Sequence, residues 1–440
     1  MSLVVDFKEF GSPVQVLFGL ANSAGLAGWL CDPAETQLLA AVDQLPWGQR
    51  PPGTPPAVRN AGRMLRTKLA GAAQLQAALT DAFAAGALGT RPLYFRTGKE
   101  ASVEAMPFEA LWDDHIAGFA CLARAWPIGR IPADVTPPAG PLIMERSVRI
   151  GAVVAAEGID PERQVDALFR GCQAPAGLSV ELTVFTTTAA VVDWVNSAGK
   201  PGWRAELVPA KSDDLIVRLR ELQPHLLHVF CHGTADGPRL LVAQRDDLAV
   251  LELSAENFGD LARPSLLAPW LITLNCCEGA APGEQTVSLA SGMVRNGLPA
   301  VLGMRKAIDA RMADAFCADL YQAALARLAV IASGGRAPAP LNWSEVLFEP
   351  RRRLCAGFGA PGLVADRQKE WTMPVLYVAS PELQLRGRPT VALEQMDDQQ
   401  IKNDVATIAM ADQLEANGNL PPQSAAAMRN PPLDRLYPQG

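Results

Sequence analysis

The chain has 440 residues, 49% of them apolar and 19% charged, which suits a soluble globular protein with room for two or three cores and argues against general disorder. Its 39 Lys and Arg stand against 46 Asp and Glu, a net charge of −7 without a basic cluster, so direct binding of nucleic acid is not expected. The opening MSLVVDFKEFG lacks a basic start before an apolar core, and runs such as SLLAPWLITLNCC fall short of a membrane span, so a cytoplasmic protein with no membrane attachment is expected.

Residues 1–89 read as a helical N-terminal region. Its clearest part, AVRNAGRMLRTKLAGAAQLQAALTDAFAAGAL (57–88), is Ala-rich, has no internal Pro and follows the Pro-rich joint PWGQRPPGTPP (46–56). A segment 90–141 comes next, opening near the strand PLYF and closing on a second joint, PIGRIPADVTPPAGP (127–141). Beyond it, VRIGAVVAA (148–156), VELTVF (180–185), HLLHVFC (225–231), WLITLNC (270–276) and PAVLGM (299–304) read as strands. The last three are apolar enough to be buried on both faces of a parallel sheet. Helices are expected at 160–172, 212–222, 254–262 and 284–297, and RLLVAQRDDLAVLEL (239–253) reads as a hairpin. This alternation predicts a doubly wound α/β domain over 142–385. The tail, 386–440, has Ile401, Val405 and Ile408 at helical spacing and then turns to Pro, Ala and Asn. A short docking helix with a loose Pro-rich end is the plain reading, and a segment that covers the cleft or binds a partner is the sharper one.

No 20–50-residue repeat, Walker loop or G-x-G-x-x-G after a strand occurs. The eight cysteines form no CxxC pair and no zinc spacing with His, so neither metal nor other cofactor is expected and disulfides are improbable. Chemistry is therefore sought at the carboxyl ends of the strands, where open parallel sheets gather their reactive groups. His232-Gly233 ends one strand and Cys277 the next, bringing an imidazole and a thiol to the same edge. The imidazole can raise the thiolate fraction and later protonate a leaving amine. Gly233, without a side chain, lets its N–H approach an oxyanion, and the N–H of Cys277 supplies a second donor. His228 reads as a packed, hydrogen-bonded residue, His225 and His115 as surface or local structure, and Cys231 as small core filling. Asp236 reads as a turn former, with an orienting role toward His232 as the alternative.

LHVFCHGTADG followed by ITLNCCEGA resembles the CHAT family of caspase-like cysteine peptidases. AMPFEALWDD (105–114) is similar to that family's Pro-Trp-Glu-Leu-Leu element, with Phe108 in the Trp place, and 290–325 is similar to the helix, strand, Asp and helix that follow its nucleophile. The resemblance spans roughly 90–380. It implies a caspase-like, mostly parallel sheet flanked by helices, with a smaller N-terminal non-catalytic part and a relationship to separases, metacaspases and caspases. It also implies a His/Cys dyad without a strict third member, a dedicated protein substrate, and a bacterial signalling or defence role held latent until a protein partner activates it. The dyad carries over as His232 and Cys277, with Cys276 in the place of a small structural alanine and as the alternative nucleophile. Where metacaspases place an Asp for a basic P1 side chain, this chain has Asn275. Glu278 and Asp309 remain as acidic groups near the substrate, while Arg305 and Lys306 suit an acidic P1 instead, so P1 stays open. A catalytically silent scaffold of the same fold is the alternative to a peptidase.

Overall fold

The strand and helix pattern closes around one sheet. In this computed structural model the described residues are 2–10, 15–23, 25–45, 56–84, 91–98, 101–122, 126–138, 140–144, 147–234, 239–245, 249–262, 269–275, 288–306, 309–334, 337–356, 365–387 and 398–436. Among them twelve strands pair side by side: β1 (Leu3–Phe10), β2 (Gln15–Leu20), β3 (Leu26–Gly28), β4 (Leu93–Thr97), β5 (Ile128–Pro132), β6 (Ser147–Val154), β7 (Ser179–Thr186), β8 (Trp203–Leu207), β9 (Leu226–Phe230), β10 (Leu271–Leu274), β11 (Ala300–Met304) and β12 (Pro374–Val378). Their order across the sheet is β8-β7-β6-β9-β10-β11-β12-β5-β4-β1-β2-β3. The first six of this order run parallel, β12 turns antiparallel to β11, and β5, β4 and β1 follow parallel to β12.

Every residue of β9, β10, β11 and β12 is buried, as their unbroken apolar runs predict for strands covered on both faces. Leu227, Val229, Ile272, Leu274 and Val301 point to a core closed by helices 212–222, 255–262 and 289–295. Leu226, Phe230, Leu271, Leu302 and Met304 point to the other core, under helices 162–171 and 310–332. The 310–332 helix is long and apolar enough to cross a membrane, the only such helix among the described residues. Here Phe316, Leu320, Leu325 and Leu328 are buried in the core beneath the sheet.

Two expectations are corrected. The described residues among 3–28 are not helical but form β1, β2 and β3, which extend the sheet beyond β4. In LVVDFKEF, Val5, Asp6 and Phe7 are all buried between β4 and β2 while Lys8 is exposed, and the Asp6 carboxylate is met by Arg96 on β4 at 2.9 Å. Helices 33–43, 57–69 and 73–84 follow. In the tail, the expected loose end is a second helix, so that 398–416 and 422–436 form a hairpin. Pro422 opens that helix where its missing N–H costs nothing, and Ala425–427 are good helix formers. Val405, Ile408, Leu433 and Leu436 close around Ile143, beside Trp270 at the amino end of β10. The hairpin thus docks at the sheet edge opposite the one where a covering segment would act.

Candidate active site

At the end of β9 the chain leaves the main sheet at buried Cys231 and begins a small antiparallel sheet, His232–Thr234 against Arg239–Ala243 and that against Val250–Ser254. Pairing of His232 with Leu241 and of Gly233 with Leu240 fixes the backbone of both residues. The His232 ring is fixed separately, its Nε2 lying 2.8 Å from the carbonyl oxygen of Glu157. A carbonyl only accepts, so Nε2 carries the proton and Nδ1 is left as the free base. Glu157 follows β6, the neighbour of β9, in a turn where Gly158 adopts φ +69°. This carbonyl is a partner of His232 that the sequence reading missed. Its only sequence signal is the EGID turn after the first strand of the α/β part, because the group belongs to the backbone.

β10 is the neighbour of β9 on the other side, with His228 level with Thr273. Asn275 continues it, its N–H donating to Val229 O at 2.9 Å. The Asn275 side chain is fully buried, and its Nδ2 donates to Ala313 O at 2.9 Å on the 310–332 helix. Its Oδ1 has no partner among the described residues. Asn275 thus ties β10 to that helix. Cys276, Cys277, Glu278 and Asp236 lie outside the described residues. Asp309 caps the 310–332 helix, its carboxylate accepting from the N–H of Arg311 at 3.0 Å. His232, Asn275 and Asp309 follow parallel neighbours at their carboxyl ends, so the fold gathers them along one edge. Arg305 is buried and 2.5 Å from Asp43 Oδ1, which corrects the expectation that it offers an open charge to an acidic P1.

The other histidines separate by environment. His228 is buried, its imidazole pushed down to about 3 by the loss of water, and so is neutral. Its Nε2 lies 3.0 Å from the Gln164 side-chain amide, and its ring meets Tyr321 edge-on. His225, expected as surface or local structure, is buried, stacked on Trp270 at 4.3 Å and accepting from the N–H of Arg149. The apolar residues around it left no sequence sign of these two partners. His115 is exposed beside Asp113.

The N-terminal half props the site. Phe108 stacks on Phe95 with centroids 4.1 Å apart, and buried Glu109 is paired with buried Arg130 at 2.8 Å. Glu104 accepts from the hydroxyl of Ser288 at 3.1 Å, and Ser288 in turn caps helix 289–295. Among the described residues no cluster of His, Cys, Asp or Glu is arranged to hold a metal ion. Burial pushes the Cys121 thiol up to about 12 and raises those of Cys172 and Cys317 as well, which leaves these three inert.

The CHAT domain family matches residues 61–337. No curated protein matches the chain. Among solved structures, the chain is similar to the Saccharomyces cerevisiae separase–securin complex at 13% identity and TM-score 0.36, over 69% of this chain and 16% of the other. It is also similar to the complex of Porphyromonas gingivalis RgpB pro- and mature domains, at 10% identity and TM-score 0.41, over 76% and 70%.

Proposed function

Because the chain belongs to the CHAT domain family, we propose that it is a cysteine endopeptidase whose base is His232 and whose nucleophile is Cys277. The observation that carries this reading is the His232 Nε2–H to Glu157 O contact, 2.8 Å, which in the neutral ring makes Nδ1 the nitrogen that can accept a proton at the carboxyl edge of the sheet. In this account Nδ1 takes the proton of the Cys277 thiol, and the sulfur attacks the substrate carbonyl carbon. The oxyanion so formed accepts from the N–H groups of Gly233 and Cys277. Collapse breaks the C–N bond while His232 returns the proton to the leaving amine. Water, deprotonated by His232, then releases the acyl group and regenerates the thiol. Glu278 and Asp309 are the acidic groups of the substrate side in this account, whereas Asn275, expected there from the sequence, is buried and acts from behind by holding β10 to the 310–332 helix. The substrate is a dedicated protein partner, and the enzyme works in the cytoplasm in bacterial signalling or defence, latent until a protein partner activates it.

The test is the rate of cleavage of a broad peptide library with and without a co-encoded protein. Little turnover alone, activation by the partner, insensitivity to EDTA and to omission of ATP, and loss on thiol alkylation are expected. Brisk partner-free cleavage of many peptides would remove the latency, and loss in EDTA restored by calcium would overturn the metal-free mechanism.

A further inference from the structure

The helix Pro33–Asp43 lies outside the family's span, yet its end reaches the site. Its start is well made: Asp32 and Glu35 form a reciprocal capping box, with both contacts at 2.8 Å. Its end runs against the usual rule. Asp43 places a carboxylate at the negative pole of the helix, and the last turn holds no basic residue. The compensating cations come from the distant half of the chain. Arg305 Nη1 meets Asp43 Oδ1 at 2.5 Å, and Lys369 Nζ donates to the Asp43 carbonyl at 2.7 Å.

Arg305 occupies a telling place. Continuing the pairing of Thr273 with Leu302 sets Asn275 level with Met304, so Arg305 is one residue further along the edge that bears the site. Its backbone N–H donates to Met373 O, which fixes the main chain, while only 4% of the side chain is exposed. The guanidinium is incompletely used: Nη2 reaches Thr372 Oγ1 at 3.4 Å, and Nε has no partner among the described residues. A buried guanidinium whose principal anion is removed demands another.

We propose that Asp43 is an internal acidic surrogate, which occupies Arg305 while the N-terminal helix is docked and so withholds that cation from acidic side chains of the substrate. Release of the helix then turns the P1 preference from neutral toward acidic. This rests on the peptidase reading, and its test separates the two. The full chain and its variants, each mixed with the co-encoded protein that activates it, are labelled with two peptidyl acyloxymethyl ketones that differ only in Asp or Asn at P1, and the ratio of labelling rates is followed by intact mass. Asp43→Asn removes the charge at nearly constant shape, and the helix end itself tolerates the neutral residue better. The wild-type ratio is expected near one, that of Asp43→Asn about tenfold higher, that of Asp43→Glu near wild type, and that of the double variant Asp43→Asn with Arg305→Met back near one. If Asp43→Asn does not fold, Arg305→Lys, which keeps the cation but loosens the pair, is expected to raise the ratio in the same direction. Labelling of every variant at an unchanged ratio, or an increase that survives Arg305→Met, overturns the surrogate alone. Labelling of none, wild type included, overturns the peptidase reading beneath it.

Discussion

At the scale of single residues, the site depends on how one imidazole is held. The place of His232 at a strand's carboxyl end was legible in the sequence, because a polar residue and a glycine close an apolar run there. Its partner was not, since the Glu157 carbonyl has no side-chain signature. This gives a paired prediction. Glu157→Gln keeps the carbonyl and should leave kcat near wild type. Gly158→Ala meets no atom within 4 Å at the new Cβ, but φ +69° resists it, so the turn and its carbonyl shift. A fall in kcat of roughly ten- to a hundredfold with little change in KM is expected. Equal kcat in Gly158→Ala and wild type would show that the contact does not orient the base. His228 gives a second test. Its folded pKa, about 3, lies below the ordinary 6.5, so beneath pH 6.5 the unfolded chain takes up a proton that the folded one refuses. Stability should therefore fall as the pH drops from 6.5 toward 3, by about 1.4 kcal/mol per unit from this group. Urea unfolding at several pH values should show a shallower slope for His228→Asn, and identical slopes would mean that His228 titrates normally in the fold.

At the scale of elements, β9, β10 and β11 were readable within two residues at each end, because strands buried on both faces carry an uninterrupted apolar signal. β1 to β3 escaped, since a short alternating strand at the sheet's margin is a weaker pattern than the Ala-rich helices beside it. The tail's second helix escaped because Pro431 and Pro432 read as a break, whereas the structure keeps them in its last turns. Elements are also joined by charges that no local pattern shows. Arg130 on β5 and Glu109 are both essentially inaccessible and paired. Glu109→Gln strands a guanidinium in the core and should cost about 3–5 kcal/mol in urea unfolding. Removing Arg63 from its solvent-exposed pair with Asp114 should cost far less. Similar losses from the two would mean that the Glu109 site is not sealed from water.

At the scale of the molecule, one sheet runs through both halves. β12 lies between β11 of the α/β part and β5 of the N-terminal part, so the two are continuous in backbone hydrogen bonding. The fold class was legible from the alternation of strands and helices, whereas this continuity was not, since β12 pairs with β5 across a wide separation in sequence. It makes the N-terminal half a support for the edge that bears the candidate site: Glu104 grips Ser288, and Asp43 grips Arg305. The central claim is that this edge holds a working His232 and Cys277 pair. The most direct measurement is intact-mass and peptide mapping after treatment of the activated protein with a peptidyl acyloxymethyl ketone. The account predicts one adduct on Cys277, lost in Cys277→Ala and His232→Ala and retained in Cys276→Ala, with cleavage following the same pattern. An adduct on Cys276, or labelling that is indifferent to His232, would contradict it.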